Sequence, residues 1–178
     1  MEEIVQSLGG EANVLPAGAS ALTRPADEYG NDENIELSWA IKAYHHAETY
    51  FNLVSSVDNR ILNLTKEDDT IYSYFRKCFP DFKIDVILPD DLKSEAAKQK
   101  WRPFCQNFEG AVEDFNFGTL LRLNCEQDYS EENSIFVTRI QFFAIEIARN
   151  REGFNLALWH KKQEKRKEEE KAKMETSS

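Results

Sequence analysis

Any chemistry performed by this 178-residue chain must come from a short inventory of side chains. The three histidines are His45, His46 and His160. His45 and His46 are adjacent, so on a helix their side chains diverge by about 100° and cannot readily share a metal. No carboxylate or further histidine stands at zinc-enzyme spacing from them. Cys78, Cys105 and Cys125 are odd in number and widely separated, with no C-x-x-C pair, which predicts reduced thiols rather than disulfides or a zinc site. The glycines at 9, 10, 18, 30, 110, 118 and 153 build neither G-x-G-x-x-G nor G-x-x-x-x-G-K-[ST]. A phosphate cradle needs clustered glycines so that backbone N–H groups can approach the ligand. No cofactor or metal is therefore expected. No nucleophile elbow accompanies the few histidines, which argues against a Ser-His-Asp or Cys-His centre.

Carboxylates are the one abundant reactive group. They pair at Glu67-Asp68-Asp69, Asp90-Asp91, Glu113-Asp114 and Glu131-Glu132. General acid–base work needs an environment that drives two pKa values apart. Three of the pairs stand at expected helix starts, where the positive end of the helix dipole already accounts for them. Glu113-Asp114 lies inside an aromatic stretch and is the pair with catalytic potential. A salt bridge from it to Arg122, Arg139 or Arg149 is the simpler explanation.

These residues are carried by elements legible from periodicity. Trp39, Ala43, Ala47, Tyr50 and Val54 form an apolar stripe and predict a helix over 34–54, with Asn31, Asp32 and Asn34 as candidate caps. Leu37, Ile41, Tyr44 and Phe51 widen the stripe, as in a central helix. Thr65 and Asp68 have capping-box form ahead of Ile71, Tyr74, Phe75, Cys78 and Phe79, and Pro80 closes that helix. Residues 82–88 alternate and allow a short strand. From Ser94 a helical phase runs to Phe115 through Pro103, which must kink it or start its second half. Residues 117–123 fit either a strand or a buried connector. A last helix is expected from Glu131 to Arg151 with Phe136, Ile140, Phe143, Ala144 and Ile147 on one face, capped by Gly153.

The fold class expected is mainly α, extending to α+β with one or two short strands, in a compact single-domain helical bundle. Residues 1–30 read as a flexible leader, 31–155 as the globular domain, and 156–178 as a charged tail that is partly helical or disordered. Hydrophobic residues at 41%, with 12 Phe, 6 Tyr and 3 Trp, supply a core. Net charge is −10, and residues 1–160 hold 15 basic and 27 acidic groups, a balance of −12. Such a body repels the nucleic-acid backbone and attracts a basic protein. No apolar run approaches the roughly 20 residues that span a bilayer. The chain opens Met1-Glu2-Glu3 without a targeting segment, so a cytoplasmic protein, small enough to enter the nucleus, is expected. No long heptad seam is present, and a monomer is expected.

Four segments occur together: Tyr29-Gly30-Asn31-Asp32, Lys100-Trp101-Arg102-Pro103-Phe104, Val112 through Arg122, and Arg139 through Asn150. Over about residues 29–155 the chain resembles the eukaryotic polysaccharide biosynthesis domain-containing protein family. That name comes from distant similarity to plant enzymes that methylate glucuronoxylan, and this chain lacks the glycine-rich methyl-donor loop such an enzyme would carry. The resemblance also implies a non-catalytic role, chaperoning newly made translation elongation factor 1-alpha by shielding its GTP-binding domain. That client is basic and suits an acidic body. The expected partner surface is Trp101, Arg102, Asp114, Asn116, Phe117, Gly118, Arg122, Arg149 and Asn150. Polar, glycine and aromatic residues interrupt the apolar stripes at these positions. The alternative is that they brace the fold. A methyltransferase-like enzyme and a structural adaptor are the competing functions.

Overall fold

The computed structural model describes residues 33–176. The expected leader and the candidate caps Asn31 and Asp32 lie outside them. The chain divides after Ala43 into two compact units, Met1–Ala43 and Tyr44–Ser178. Within the first, the described residues 33–43 are helical, and Leu37, Trp39 and Ile41 are exposed. They belong to helix α1 (Glu33–Ser56).

From Tyr44 onward the protein is helix-rich with one small antiparallel sheet, an α-rich α+β architecture. After α1 a single 3-10 turn (Asn59–Ile61) leads to α2 (Asp68–Cys78). Thr65 and Asp68 bond to each other, but α2 starts at Asp68 instead of Thr65 and the expected capping box does not form. Thr65 Oγ1 accepts the Glu67 N–H at 2.9 Å, and the Asp68 carboxylate accepts the Thr65 N–H at 2.7 Å. One turn, α3 (Asp90–Lys93), precedes α4 (Glu95–Gln106), whose Ser94 cap accepts the Ala97 N–H at 3.1 Å. Pro103 sits inside α4, and the helix ends three residues later instead of reaching Phe115. Positive φ at Gly110 (79°) and Asp114 (52°) marks the irregular path that replaces it.

The ambiguous run 117–123 resolves as strand β1 (Gly118–Arg122), paired antiparallel with β2 (Ser134–Thr138) so that Leu120 faces Phe136. The segment 82–88 forms no named strand. It is extended beside the end of β1, with Val86 bridged to Asn124 and Ile87 N–H donating to the Leu123 carbonyl at 3.0 Å. The last apolar run differs most from expectation. Residues 134–138 are strand, and helix α5 starts only at Arg139 and ends at Glu152. Ile135-Phe136-Val137-Thr138 is rich in β-branched and aromatic side chains, which favour a pleated surface. Thr138 and Gln141 then form a reciprocal capping box that fixes the start of α5. The charged tail is a continuous helix, α6 (Leu156–Thr176). Its Lys162 ammonium donates to Ser56 Oγ at 2.8 Å, placing a positive charge at the C-terminus of α1, whose own last turn has no basic residue.

An aromatic cluster locks α2 to α4. Trp101 stacks on Phe79 with centroids 4.2 Å apart, and Phe75, Phe82 and Phe104 pack edge-on or stacked around them. Offset and edge-to-face arrangements are the favourable geometries for such rings. Almost the whole of α5 is buried, from Ile140 to Asn150.

Gly153 terminates α5 with φ +83°, and its N–H caps the Arg149 carbonyl. An added Cβ would stand 3.4 Å from Leu156 Cδ1, so the cost of a side chain there is backbone strain rather than a clash. Gly153→Ala should lower stability by about 1 kcal/mol. Urea denaturation followed by far-UV circular dichroism measures it, with the midpoint shifted and the slope unchanged.

Candidate functional site

The helix that would form the centre of an apolar core carries a carboxylate instead. Glu146 is fully buried on α5, and so are Arg149, three residues on, and Arg122 at the end of β1. Arg149 Nη1 donates to Glu146 Oε1 at 2.7 Å, and Arg122 Nη2 donates to Oε2 at 3.1 Å. The Tyr50 hydroxyl from α1 and the Asn155 amide also donate to Oε2, at 2.7 and 3.0 Å. Asn155 in turn donates to Asn150 Oδ1 at 2.7 Å and accepts from Arg122 Nη2 at 2.9 Å.

Other donors of the two arginines go to backbone carbonyls, while the buried Arg122 Nε–H has no hydrogen-bond partner. Arg149 reaches Ile84, Arg122 and Leu123 at 2.6, 2.9 and 3.0 Å, and Arg122 reaches Cys125 at 2.7 Å. Those acceptors lie in or beside irregular chain, where buried C=O groups need partners that secondary structure does not supply. The guanidinium of Arg122 also lies 5.8 Å from the Phe51 ring centre and 5.9 Å from that of Tyr129.

The electrostatics follow from this packing. Burial pushes the Glu146 carboxyl up, but Arg122, Arg149 and the hydrogen bonds outweigh it and hold the group at about 2. Burial and the Glu146 charge raise the Tyr50 and Tyr129 hydroxyls. A carboxylate with displaced pKa beside two cations is the usual signature of an active site. Here both oxygens are fully engaged and solvent has no access. The cluster braces the fold.

The expected partner surface is therefore corrected in part. Arg122, Arg149 and Asn150 belong to this interior network and present nothing to a partner. Trp101 is likewise buried, in the aromatic cluster, with its indole N–H donating to the Asp91 carbonyl at 3.2 Å. Arg102 on α4, and Asp114, Asn116 and Gly118 leading into β1, are exposed, with Phe117 half-buried among them. Glu113-Asp114 is exposed and is not the partner of Arg122 or Arg149. Glu146, Tyr50 and Asn155 were missed. The available signal was Glu146 inside the apolar run Phe142 to Ala148 with Arg149 three residues on, where any charge must be paired.

Among the described residues, no group of three or more His, Cys, Asp or Glu is placed to hold a metal ion, and no helix is long and apolar enough to cross a membrane. His46 is half-buried, with Phe142 edge-on to it at 5.0 Å. Burial, reinforced by the Arg139 charge, lowers its pKa.

The fold and site define a small α-rich α+β domain with a sealed ionic core, a two-stranded sheet and an acidic exterior. The chain belongs to the family described as PBDC1 protein, whose family model matches residues 35–160. It is 62% identical over 151 residues to human Protein PBDC1, covering 85% of this chain and 65% of the human protein. It is 58% identical over 167 residues to the mouse protein of that name, covering 94% and 83% respectively. A solution NMR structure of a Saccharomyces cerevisiae protein matches with TM-score 0.69 at 42% identity, over 78% of this chain and 97% of that one. The resemblance to the polysaccharide biosynthesis domain-containing family thus holds, but its elongation factor 1-alpha chaperone-like qualifier does not belong to the family description. The names of the family and of these relatives carry PBDC1 alone.

The ionic core makes stability pH-dependent in one direction. With a folded pKa of about 2 against an ordinary 4.5, Glu146 stabilises the fold above pH 4.5, and that contribution disappears as pH falls toward 2. Its size is on the order of 3 kcal/mol. Glu146→Gln leaves two buried arginines without a counter-charge and should cost about 3–5 kcal/mol at pH 7. Urea midpoints between pH 7 and 2 check both points. The acid-dependent loss attributable to this group should be absent from Glu146→Gln, and an unchanged pH profile would refute the assignment.

Proposed function

We propose that this is a non-catalytic binding protein, a dedicated chaperone that captures the GTP-binding domain of newly made translation elongation factor 1-alpha and prevents its aggregation. The observation that carries the non-catalytic reading is the closure of the Glu146 cluster. A carboxylate held well below its ordinary acidity range is withdrawn from any substrate.

Charge supports the choice of a basic polypeptide as client. Among the described residues the buried charges cancel, Arg122 and Arg149 against Glu146 and Asp68, so the acidic excess of the sequence lies outside the core. Arg60, Arg76 and Arg151 are paired with Asp58, Glu152 and Asp69, which further limits free cationic surface. An acidic exterior raises the encounter rate with a basic chain and disfavours nucleic acid. A chaperone of this kind acts by mass action, occupying the client's exposed apolar surface until the client folds.

The test is capture from a translating cell extract by the immobilised full chain, with the client refolded in parallel. Elongation factor 1-alpha should be enriched and its refolding yield raised, and raising salt from 0.05 to 0.5 M should slow association severalfold, these being order-of-magnitude expectations (about fivefold) for screened charges. Capture without a gain in yield would leave an adaptor, and failure to enrich the client would remove this reading.

A further inference from the structure

Sheets leave edges, and proteins usually protect them with lysine, proline, a bulge or a covering segment. The two edges of this small sheet are treated differently. Beside β1, the extended chain at 85–87 covers the end of the strand through the Val86–Asn124 bridge and two backbone hydrogen bonds, Ile87 N–H to Leu123 and Cys125 N–H to Asp85. Beyond β2 nothing comparable stands among the described residues. Among the described residues its only backbone pairing is with β1, apart from the Thr138 N–H taken up by the Gln141 side chain.

The sequence of that edge, Ser134-Ile135-Phe136-Val137-Thr138, contains no charge and no proline. Phe136 at its centre is 51% exposed. It stands opposite Leu120, and its ring lies 3.9 Å from where a side chain on Gly118 would begin. Leading into the strand, Glu126, Asp128, Glu131 and Glu132 are all exposed, and no lysine or arginine occurs between Leu123 and Thr138.

From this arrangement we infer that β2 is a strand-addition site. Its occupant is an extended segment of a basic polypeptide that pairs along Ser134–Thr138, packs an apolar side chain against Phe136, and sets lysine or arginine beside the acidic loop. Main-chain pairing supplies affinity without demanding one sequence, and the alternate side chains and flanking charge supply selectivity. That suits a partner met before it folds, when its strands are still unpaired. A second copy of this chain is a poorer occupant, because a net charge of −10 on each molecule opposes self-association. The inference rests on the binding-protein reading and assigns that reading a surface.

The probe is a fluorescent peptide of alternating valine and threonine with lysines at both ends, compared with the same peptide ended in glutamates. Anisotropy gives affinity, and amide hydrogen exchange of the full chain locates the contact. The lysine-ended peptide should bind and protect amides of Ser134–Thr138, and the glutamate-ended one should bind at least roughly tenfold more weakly. Phe136→Lys should weaken binding about tenfold or more. The double change Glu131→Gln with Glu132→Gln, on exposed positions outside the core, should weaken it severalfold and flatten the salt dependence. Absence of binding, protection away from β2, or indifference to both variants would overturn the assignment. So would protection of the same amides by protein concentration alone, which would give the edge to a second copy. If elongation factor 1-alpha is still captured while the peptide fails, the edge assignment falls and the client reading stands. Peptide binding at β2 without capture of that client supports the edge and removes the client.

Discussion

One carboxylate flanked by two arginines, all without solvent contact, is the interaction on which the rest of the domain depends. Glu146 draws the end of β1, helix α1 and Asn155 onto the buried face of α5. Burying an ion pair is not in itself stabilising, because desolvation of both partners is costly. What offsets that cost is complete hydrogen bonding of the carboxylate. The same arginines also satisfy carbonyls at Ile84, Arg122, Leu123 and Cys125. Irregular chain can run through the interior here because long, forked donors reach it from a helix and a strand. An apolar substitute at either position would remove these bonds, and of the four carbonyls Leu123 would still accept the Ile87 N–H.

The cluster also explains how the domain divides its labour. The aromatic block of Phe75, Phe79, Trp101 and Phe104 joins α2 to α4 by shape, and tolerates rearrangement in the way apolar cores do. The ionic block is directional. It admits one register of β1 against α5, since a one-residue slip would turn Arg122 away from Glu146. With β1 fixed in that way, β2 is fixed by pairing, and Phe136 is held outward by the alternation of the strand.

Most of the helical framework was legible in the sequence, because apolar residues at helical spacing report burial directly. The stripe of Tyr50 and Val54 and the Gly153 cap stand where their chemistry placed them, whereas the helix expected from Thr65 starts at Asp68. The strand β2 was not legible as such. Phe136 and Ile140 are four residues apart and satisfy helical phase as well as they satisfy a strand followed by a helix. Only the β-branched run and the Thr138–Gln141 box separate the two readings. The site was harder. Arg122, Arg149, Asn150 and Trp101 interrupt apolar stripes, and interruption is equally consistent with an exposed contact and with a buried polar partner. Which one holds depends on whether a counter-charge arrives from elsewhere in the chain, and Glu146 and Tyr50 are brought together across 96 residues by the fold alone.

The contrast between a closed interior and an open edge is itself physically informative. Arginines that could have served a surface are spent inside, and what remains outside is acidic and, at β2, apolar and unpaired. Left to itself, an uncharged edge strand invites aggregation. The acidic loop running from Glu126 to Glu132 counters this by repelling like-charged copies of the chain while leaving the edge accessible to cationic ones. A stability-driven design would have placed a lysine on β2. Its absence, beside four exposed carboxylates, makes the edge selective by charge and permissive by sequence, the combination required of a surface that meets a basic polypeptide before that polypeptide has folded.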